Sequence, residues 1–439
     1  MARINNILSL FAVPSFHSSK TGKLVEKSNN FYGNFEFEDN SDLNIFLKKQ
    51  NIELVSYKMT ANDDITFIEI EGNTINQKTV NKIGSYSDTL ESVIFDKVTT
   101  FSKNLSLEPL KVNELKFDNS DVPYTGEEQE FYIPKNILKT AKNVNKIAIY
   151  GFNISQRNIN EIASLTKLTS LDFNDCTFDE NMDYTNLKNL KNLTNLYLDT
   201  IFIKGEGERK LNELPESICK LKNLKKLISY RNDISSIPKC IKNLTNLEEL
   251  DFNLNKLISI PKEINNLTNL KVLSLDGNKL ETLPEEFGEL TKLEELSLLG
   301  NKISTLPDEF GNLVSLKKLD LSYNLTGSIP DVIGKLTSLE NLNLRNNKIF
   351  RIPFSIINLC NLKDLDLSDN KIKDVAVAIL ELKNLENLSL SDNFITEIPE
   401  AISELKNLTY FNLHGNDINA DNVPEEVKNL PNLDIVFNY

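Results

Sequence analysis

Residues 293–316 read LEELSLLGNKISTLPDEFGNLVSL, and this stretch decides the fold. Its first part alternates: Leu293, Leu296 and Leu298 are separated by polar positions, the pattern of a short strand with one face turned inward. Asn301 follows at a turn, then Ile303 and the pair Leu306-Pro307. Phe310 and Leu313 come three residues apart, the spacing of a single tight helical turn. Leu316 then begins the same sequence again. Leu224, Leu247, Leu270, Leu293, Leu316, Leu339, Leu362, Leu385 and Leu408 recur at a strict interval of 23 residues. No such unit can bury its apolar face alone; stacking on its neighbours does so.

Each column of the repeat has a physical role. The turn asparagines Asn232, Asn255, Asn278, Asn301, Asn324, Asn347, Asn370, Asn393 and Asn416 are expected to form a structural ladder. A buried amide there both donates to and accepts from backbone groups that the strand cannot reach. Pro238, Pro261, Pro284, Pro307, Pro330, Pro353 and Pro399 fix φ where the chain leaves the turn. Residues such as Ile241 and Leu244, or Ile402 and Leu405, close the outer side.

The unit L-x-x-L-x-L-x-x-N-x-L resembles the leucine-rich repeat family, in particular its 23-residue class of intracellular scaffolds and many bacterial proteins. The resemblance implies an α/β solenoid: a right-handed horseshoe with a parallel β-sheet on the concave face and short helical or 3₁₀ turns on the convex face. About fifteen to sixteen units are expected.

The chain divides into three parts on this reading. Residues 1–64 form an N-terminal cap segment, with Ser41-Asp42 capping a short helix through Lys49 before a strand near 54–59. Residues 65–223 carry degenerate repeats starting at Ile65, Leu90, Val112, Val144, Leu168 and Leu193. Their ladder positions hold Asn73, Val98, Ser120, Phe152, Cys176 and Ile201, with Cys176 as a structural substitute for asparagine. Residues 224–439 carry the regular repeats and a terminal strand, whose open edge offers a route to self-association. Two insertions interrupt the degenerate part, PYTGEEQEF at 123–131 and KGEGERKL at 204–211. Both follow the same repeat phase, so both should project from one edge.

Composition narrows function. The chain has 439 residues, 63 acidic against 49 basic, and a net charge of −14. That balance disfavours nucleic acid and anionic membrane as partners. No apolar run approaches the roughly 18 residues of a membrane helix, so no insertion is expected. The two histidines, His17 and His414, cannot furnish a His-rich metal site. Walker, G-x-S-x-G, H-E-x-x-H and zinc spacings do not occur. The expectation is a non-enzyme without cofactor or metal. Cys176, Cys219, Cys240 and Cys360 form neither a C-x-x-C pair nor a Cys-rich cap, which predicts a reduced, cytoplasmic setting. Secretion is the alternative, since Arg3 precedes an apolar run from Ile7 to Val13, although no A-x-A site follows.

Outward positions fall two, four, six and seven residues after each unit's first leucine. They select Tyr230, Arg231, Leu254, Leu299, Tyr323, Arg345, Tyr410 and His414 as partner-binding residues, among small polar positions such as Ser322, Ser368 and Ser391. Exposed Tyr, Leu and Arg in such a position suit an interface. Lys256, Lys279, Lys302, Lys348 and Lys371 read as a basic rail that offsets Asp251, Asp320, Asp366, Asp369 and Asp392, or else steers an acidic partner. The expected function is a non-catalytic protein–protein interaction module that binds a protein partner through the concave sheet and the projecting loops. The alternative is a secreted bacterial surface or effector protein binding a host component.

Overall fold

The computed structural model describes residues 42–437 apart from 60–64, 73, 87, 99, 103, 121–130, 206–208 and 419. Ser41, Asn73, His17, the apolar run near the N-terminus and most of the first insertion lie outside the described residues. Helix Asp42–Lys48 leads into strand Ile52–Met59, which pairs antiparallel with Ile65–Gly72. Every later pairing in this sheet is parallel. It runs through Ser92–Asp96, Glu114–Asp118, Lys146–Tyr150, Ser170–Asn174 and Asn195–Asp199. Three-residue strands continue it from Lys226–Ile228 to Asp434–Val436, giving a 17-stranded sheet stacked in chain order. Sixteen of the strands are parallel, one per stacked unit, with the antiparallel strand closing the first end.

The 23-residue period is what keeps register. Leu250 lies opposite Leu273, and Leu273 opposite Leu296, so identical phases meet and the middle residue of each short strand up to Tyr410–Asn412 is buried. Its two flanking residues stay accessible on the concave side. In the degenerate half the interior is filled by rings: Phe95 stacks on Phe117 with centroids 5.4 Å apart, and Phe117 meets Phe152 edge-on at 6.4 Å. Such pairs add about 0.5–1.5 kcal/mol beyond the area they bury.

The asparagine amides join each unit to the one before it. Asn301 Nδ2 donates to Leu275 O at 2.9 Å in the preceding unit and to Leu298 O at 3.0 Å in its own. Its Oδ1 accepts from Leu280 N at 3.0 Å. The same pattern holds from Asn232, which serves Ile201 N and Leu198 O, to Asn416, which serves Ile395 N and Leu390 O. Farther upstream the position changes character. Val98, Phe152 and Ile201 are apolar and buried, and the buried Cys176 thiol donates to Ile149 O at 3.0 Å. Burial pushes that thiol up to about 12, so it stays protonated and inert. Ser120 is exposed and is not a ladder residue; Asn119, one place earlier, is buried and donates to Val98 O at 2.8 Å. The displacement follows from the strand Glu114–Asp118, whose last carboxylate already holds Ser120.

On the convex side the regular units carry five-residue 3₁₀ helices, such as Glu285–Glu289 and Asp308–Asn312. Proline precedes most of them, and its carbonyl accepts the first bond, as from Phe287 N to Pro284 O at 3.0 Å. Two degenerate units use α-helices instead, Gln77–Gly84 and Gln156–Ala163, the second closed by a capping box at Ser155 and Asn158.

Cys219 and Cys240 form a disulfide, with Cα atoms 5.7 Å apart. The sequence spacing did not single out this pair. The residues are 21 apart because one follows the convex Ile218 and the other precedes the convex Ile241 in the next unit. Adjacent 3₁₀ helices therefore bring them together, and the bond ties the last irregular unit to the first regular one.

The ladder is testable. Replacing Asn301 by Ala orphans the Leu280 N–H, while Leu275 O and Leu298 O keep the amides of Asn278 and Asn324, at a cost of about 1–3 kcal/mol. A lower melting temperature and faster amide exchange at Leu280 are expected, whereas Asn312→Ala on the exposed convex side should change neither.

Candidate binding surface

Parallel register stacks concave side chains into columns. Asp172, Tyr197, Ile228 and Asp251 occupy one column across four consecutive strands. Tyr150, Asn174 and Asp199 occupy the next. Tyr150 donates its hydroxyl to Asp172 Oδ2 at 2.6 Å, while Lys116 Nζ lies 4.4 Å from the Tyr150 ring centroid. Lys226 Nζ sits 5.7 Å from the Tyr197 centroid and pairs with Glu249 at 2.8 Å. These residues build a patch of rings and carboxylates spanning the junction between irregular and regular units.

The carboxylates are held by backbone amides and hydroxyls. Asp199 accepts from Tyr230 N at 3.0 Å, Asp251 from Asn253 N at 2.7 Å, and Asp276 from Leu299 N at 2.9 Å and Ser297 Oγ at 2.5 Å. Burial, reinforced by neighbouring carboxylates, raises Asp199 and Asp276 to about 7. Burial likewise raises Asp172 and Asp251 to about 6. Among the described residues, no cation lies within ion-pair distance of any of these four. The row is thus part-desolvated carboxylate, with Lys116 and Lys226 near Asp172 and Asp251 but paired with Asp118 and Glu249.

The residues selected from sequence do not form one patch. Tyr230, Arg231 and Leu254 sit in adjacent units beside the carboxylate row. Leu299, Tyr323 and Arg345 lie farther along, and Tyr410 and His414 near the far end. At about 4.8 Å per strand, eight units separate Tyr230 from His414 by about 38 Å. Arg345 is engaged by Asp369 at 2.8 Å. Tyr230, Leu254, Leu299, Tyr323 and Tyr410 are half-buried; Arg231, Arg345 and His414 are exposed. Ser322, Ser368 and Ser391 are buried, not outward as expected. The first two turn their hydroxyls back onto Asp320 and Asp366 of the preceding strand end. Of the basic rail, Lys256 pairs with Asp233 at 2.8 Å, not with the carboxylates proposed for it.

A backbone feature underlies the column seven residues after each first leucine. It is left-handed in all nine regular units, with Gly277, Gly300 and Gly415 at φ 62°, 67° and 71°. Asn346, Asp369 and Asp392 also tolerate that region. Arg231 (φ 56°), Leu254 (54°) and Tyr323 (55°) hold it at a cost of about 1 kcal/mol each. Leu254 additionally fills the space over Gly277, where a Cβ would come within 2.4 Å of its Cδ2.

Tyr132, just after the first insertion, accepts at its hydroxyl from Lys204 Nζ of the second at 3.0 Å, bridging the units between. Phe202–Ile203 and Arg209–Lys210 make the second into a small antiparallel hairpin. Tyr150, Asp172, Tyr197 and Asp199 were not singled out from sequence because their units lack the ladder asparagine. The alternation in KIAIY (146–150) and NLYLD (195–199) was the available signal.

These carboxylates link stability to pH. A folded-state value raised above the ordinary 3.8 means that the folded chain binds protons more tightly than the unfolded chain. Their contribution is therefore full below about pH 4 and is lost as pH rises toward about 7. Asp199→Asn with Asp276→Asn should flatten that decline, and at pH 8 add about 2 kcal/mol. Thermal melts from pH 4 to 8 measure it; an unchanged slope contradicts the assignment.

The sequence profile described as leucine-rich repeat region matches residues 148–276 and 261–354, and that described as leucine rich repeat matches 360–418. None of the curated protein sequences matches. Among solved structures, a leucine-rich repeat protein of Leptospira interrogans is 28% identical, with a TM-score of 0.57, over 75% of this chain and 91% of that one. An internalin of Listeria monocytogenes is 26% identical, with a TM-score of 0.58, over 69% and 82%. A plant peptide hormone receptor shares the fold at 24% identity and a TM-score of 0.59, over 87% and 66%. The Asn ladder, the one-strand units and the parallel sheet belong together with these matches: the chain is a member of the leucine-rich repeat family, whose solenoid is a protein-interaction fold.

Proposed function

We propose that this chain is a non-catalytic binding module that captures a protein partner on its concave face, beginning at the Tyr150–Leu254 region and its flanking loop edge. The observation carrying this reading is the left-handed column. Six units place Gly, Asn or Asp there, while Arg231, Leu254 and Tyr323 keep long side chains at a conformational cost. Strain of this kind concentrates where a side chain is needed for recognition rather than for folding. The meeting of Tyr132 and Lys204 beside the same units supports the location, since insertions sharing one solenoid face mark binding faces.

The Cys219–Cys240 bond supports work in an oxidising compartment, and so favours the secreted alternative over a cytoplasmic scaffold. The Leptospira protein and the internalin are bacterial, which favours a bacterial surface or effector role.

Two measurements test this reading. Arg231→Asn with Tyr323→Asn should raise the melting temperature, by about 1 kcal/mol per site in stability, while weakening capture of the partner. Undiminished capture moves the binding site elsewhere. Trapping thiols in protein taken from its native setting should leave Cys219 and Cys240 unlabelled; labelling of both places the chain in a reducing compartment.

A further inference from the structure

We propose that the partner presents an extended, cationic polypeptide segment, whose Lys or Arg side chains seat against Asp172, Asp199, Asp251 and Asp276 while its backbone lies over Tyr150, Tyr197 and Tyr230. The inference rests on the concave-face reading above and deepens it by naming the chemistry of the partner.

Three observations carry it. The first is unbalanced charge. The cations facing the row are engaged elsewhere: Lys116 is held by Asp118 at 2.7 Å, and Lys226 by Glu249 at 2.8 Å. What faces Asp199 is mainly more carboxylate, from Asp172, Asp175 and Asp251; Asp276 faces Asp251 and Asp320. Asp251 lies beside Glu249 and Lys226, and Asp172 beside Lys116, Asp118 and the Tyr150 hydroxyl. The charge of Arg231 acts on Asp175, outside the row. A partner that brings cations relieves repulsion that the fold itself leaves in place.

The second is shape. The row crosses five strands, from Ser170–Asn174 to Val272–Ser274, or about 19 Å at 4.8 Å per strand. On the inside of a solenoid, a slim chain reaches that row where a broad convex surface does not. At about 3.3 Å per residue, roughly six extended residues span it. The third is the company of the carboxylates. Tyr150 and Tyr197 already hold lysine ammonium groups over their rings at 4.4 and 5.7 Å. These rings thus already show the chemistry that holds a cation, and the remaining exposed ring surface takes a guanidinium or an aliphatic lysine stem from a partner.

The proposal predicts a pH response. Because burial and mutual repulsion raise Asp199 and Asp276 to about 7, their charge is mostly formed at pH 8 and mostly lost at pH 5.5. Binding of a cation should therefore weaken as pH falls.

The test uses the full chain and fluorescent twelve-residue peptides at physiological salt, followed by anisotropy. One peptide alternates Arg with Gly and Ser, one replaces Arg by Gln, and one by Glu. The Arg peptide should bind at least about tenfold tighter than the Gln peptide at pH 8, with that margin shrinking at pH 5.5. Asp251→Asn with Asp276→Asn should lose about tenfold, while the equal charge change Glu285→Gln with Glu309→Gln on the convex side should lose less than about twofold. Both pairs should melt no lower than the parent chain. Equal losses from the two pairs would mean diffuse attraction to an acidic protein and overturn the proposal, as would equal binding of the Arg and Gln peptides. If the Arg peptide fails while Arg231→Asn with Tyr323→Asn still abolishes partner capture, the charge inference falls and the binding module stands.

Discussion

The structure depends on one side-chain amide per turn. A solenoid of short strands leaves backbone groups at each bend that neither the sheet nor the convex helix can satisfy, and buried orphans are expensive. Asn301 answers this by bonding to Leu275 O and Leu280 N of the unit before it and Leu298 O of its own. Because each amide reaches backward by one unit, it fixes the spacing between turns as well as the turn itself. Asn232 makes the same bonds across a longer unit, so the amide fixes where successive turns meet rather than the unit length; where the period is constant, the register of the concave columns follows from it.

Where the amide is missing, the fold spends other interactions. The degenerate units fill the ladder position with Val98, Phe152, Cys176 or Ile201 and pack the interior with stacked rings. Two of them grow α-helices on the convex side and two accept insertions. The disulfide sits where the two regimes meet, and ties the last irregular convex turn to the first regular one. The concave patch of Tyr150, Tyr197, Asp172 and Asp199 lies at that same boundary. Relaxed period and chemical individuality coincide there, as they do in loops carried on a rigid scaffold.

Legibility from sequence tracked the same division. Nine units at eight identical spacings made the strand, turn and convex columns of the regular half readable residue by residue. The degenerate half yielded its strand starts, but Asn119 stood one place from the position the pattern assigned to Ser120. The left-handed column was visible as Gly277, Gly300 and Gly415, yet Arg231, Leu254 and Tyr323 concealed it because side chains of that size rarely occupy such backbone. Pairing of Cys219 with Cys240 needed the convex phase of both units at once, since 21 residues of separation carry no motif. The carboxylate row was hidden for another reason: its members are ordinary outward positions singly, and only parallel register sets them side by side.

On this reading, recognition occurs on the concave face at the junction between irregular and regular units. Amide exchange of the full chain, with and without its bound partner, tests this directly. Slower exchange is predicted across 146–254 on the concave strands and their left-handed turns, with the 3₁₀ helices between 285 and 404 unchanged. Protection confined to those convex helices, with the junction unaltered, would contradict it.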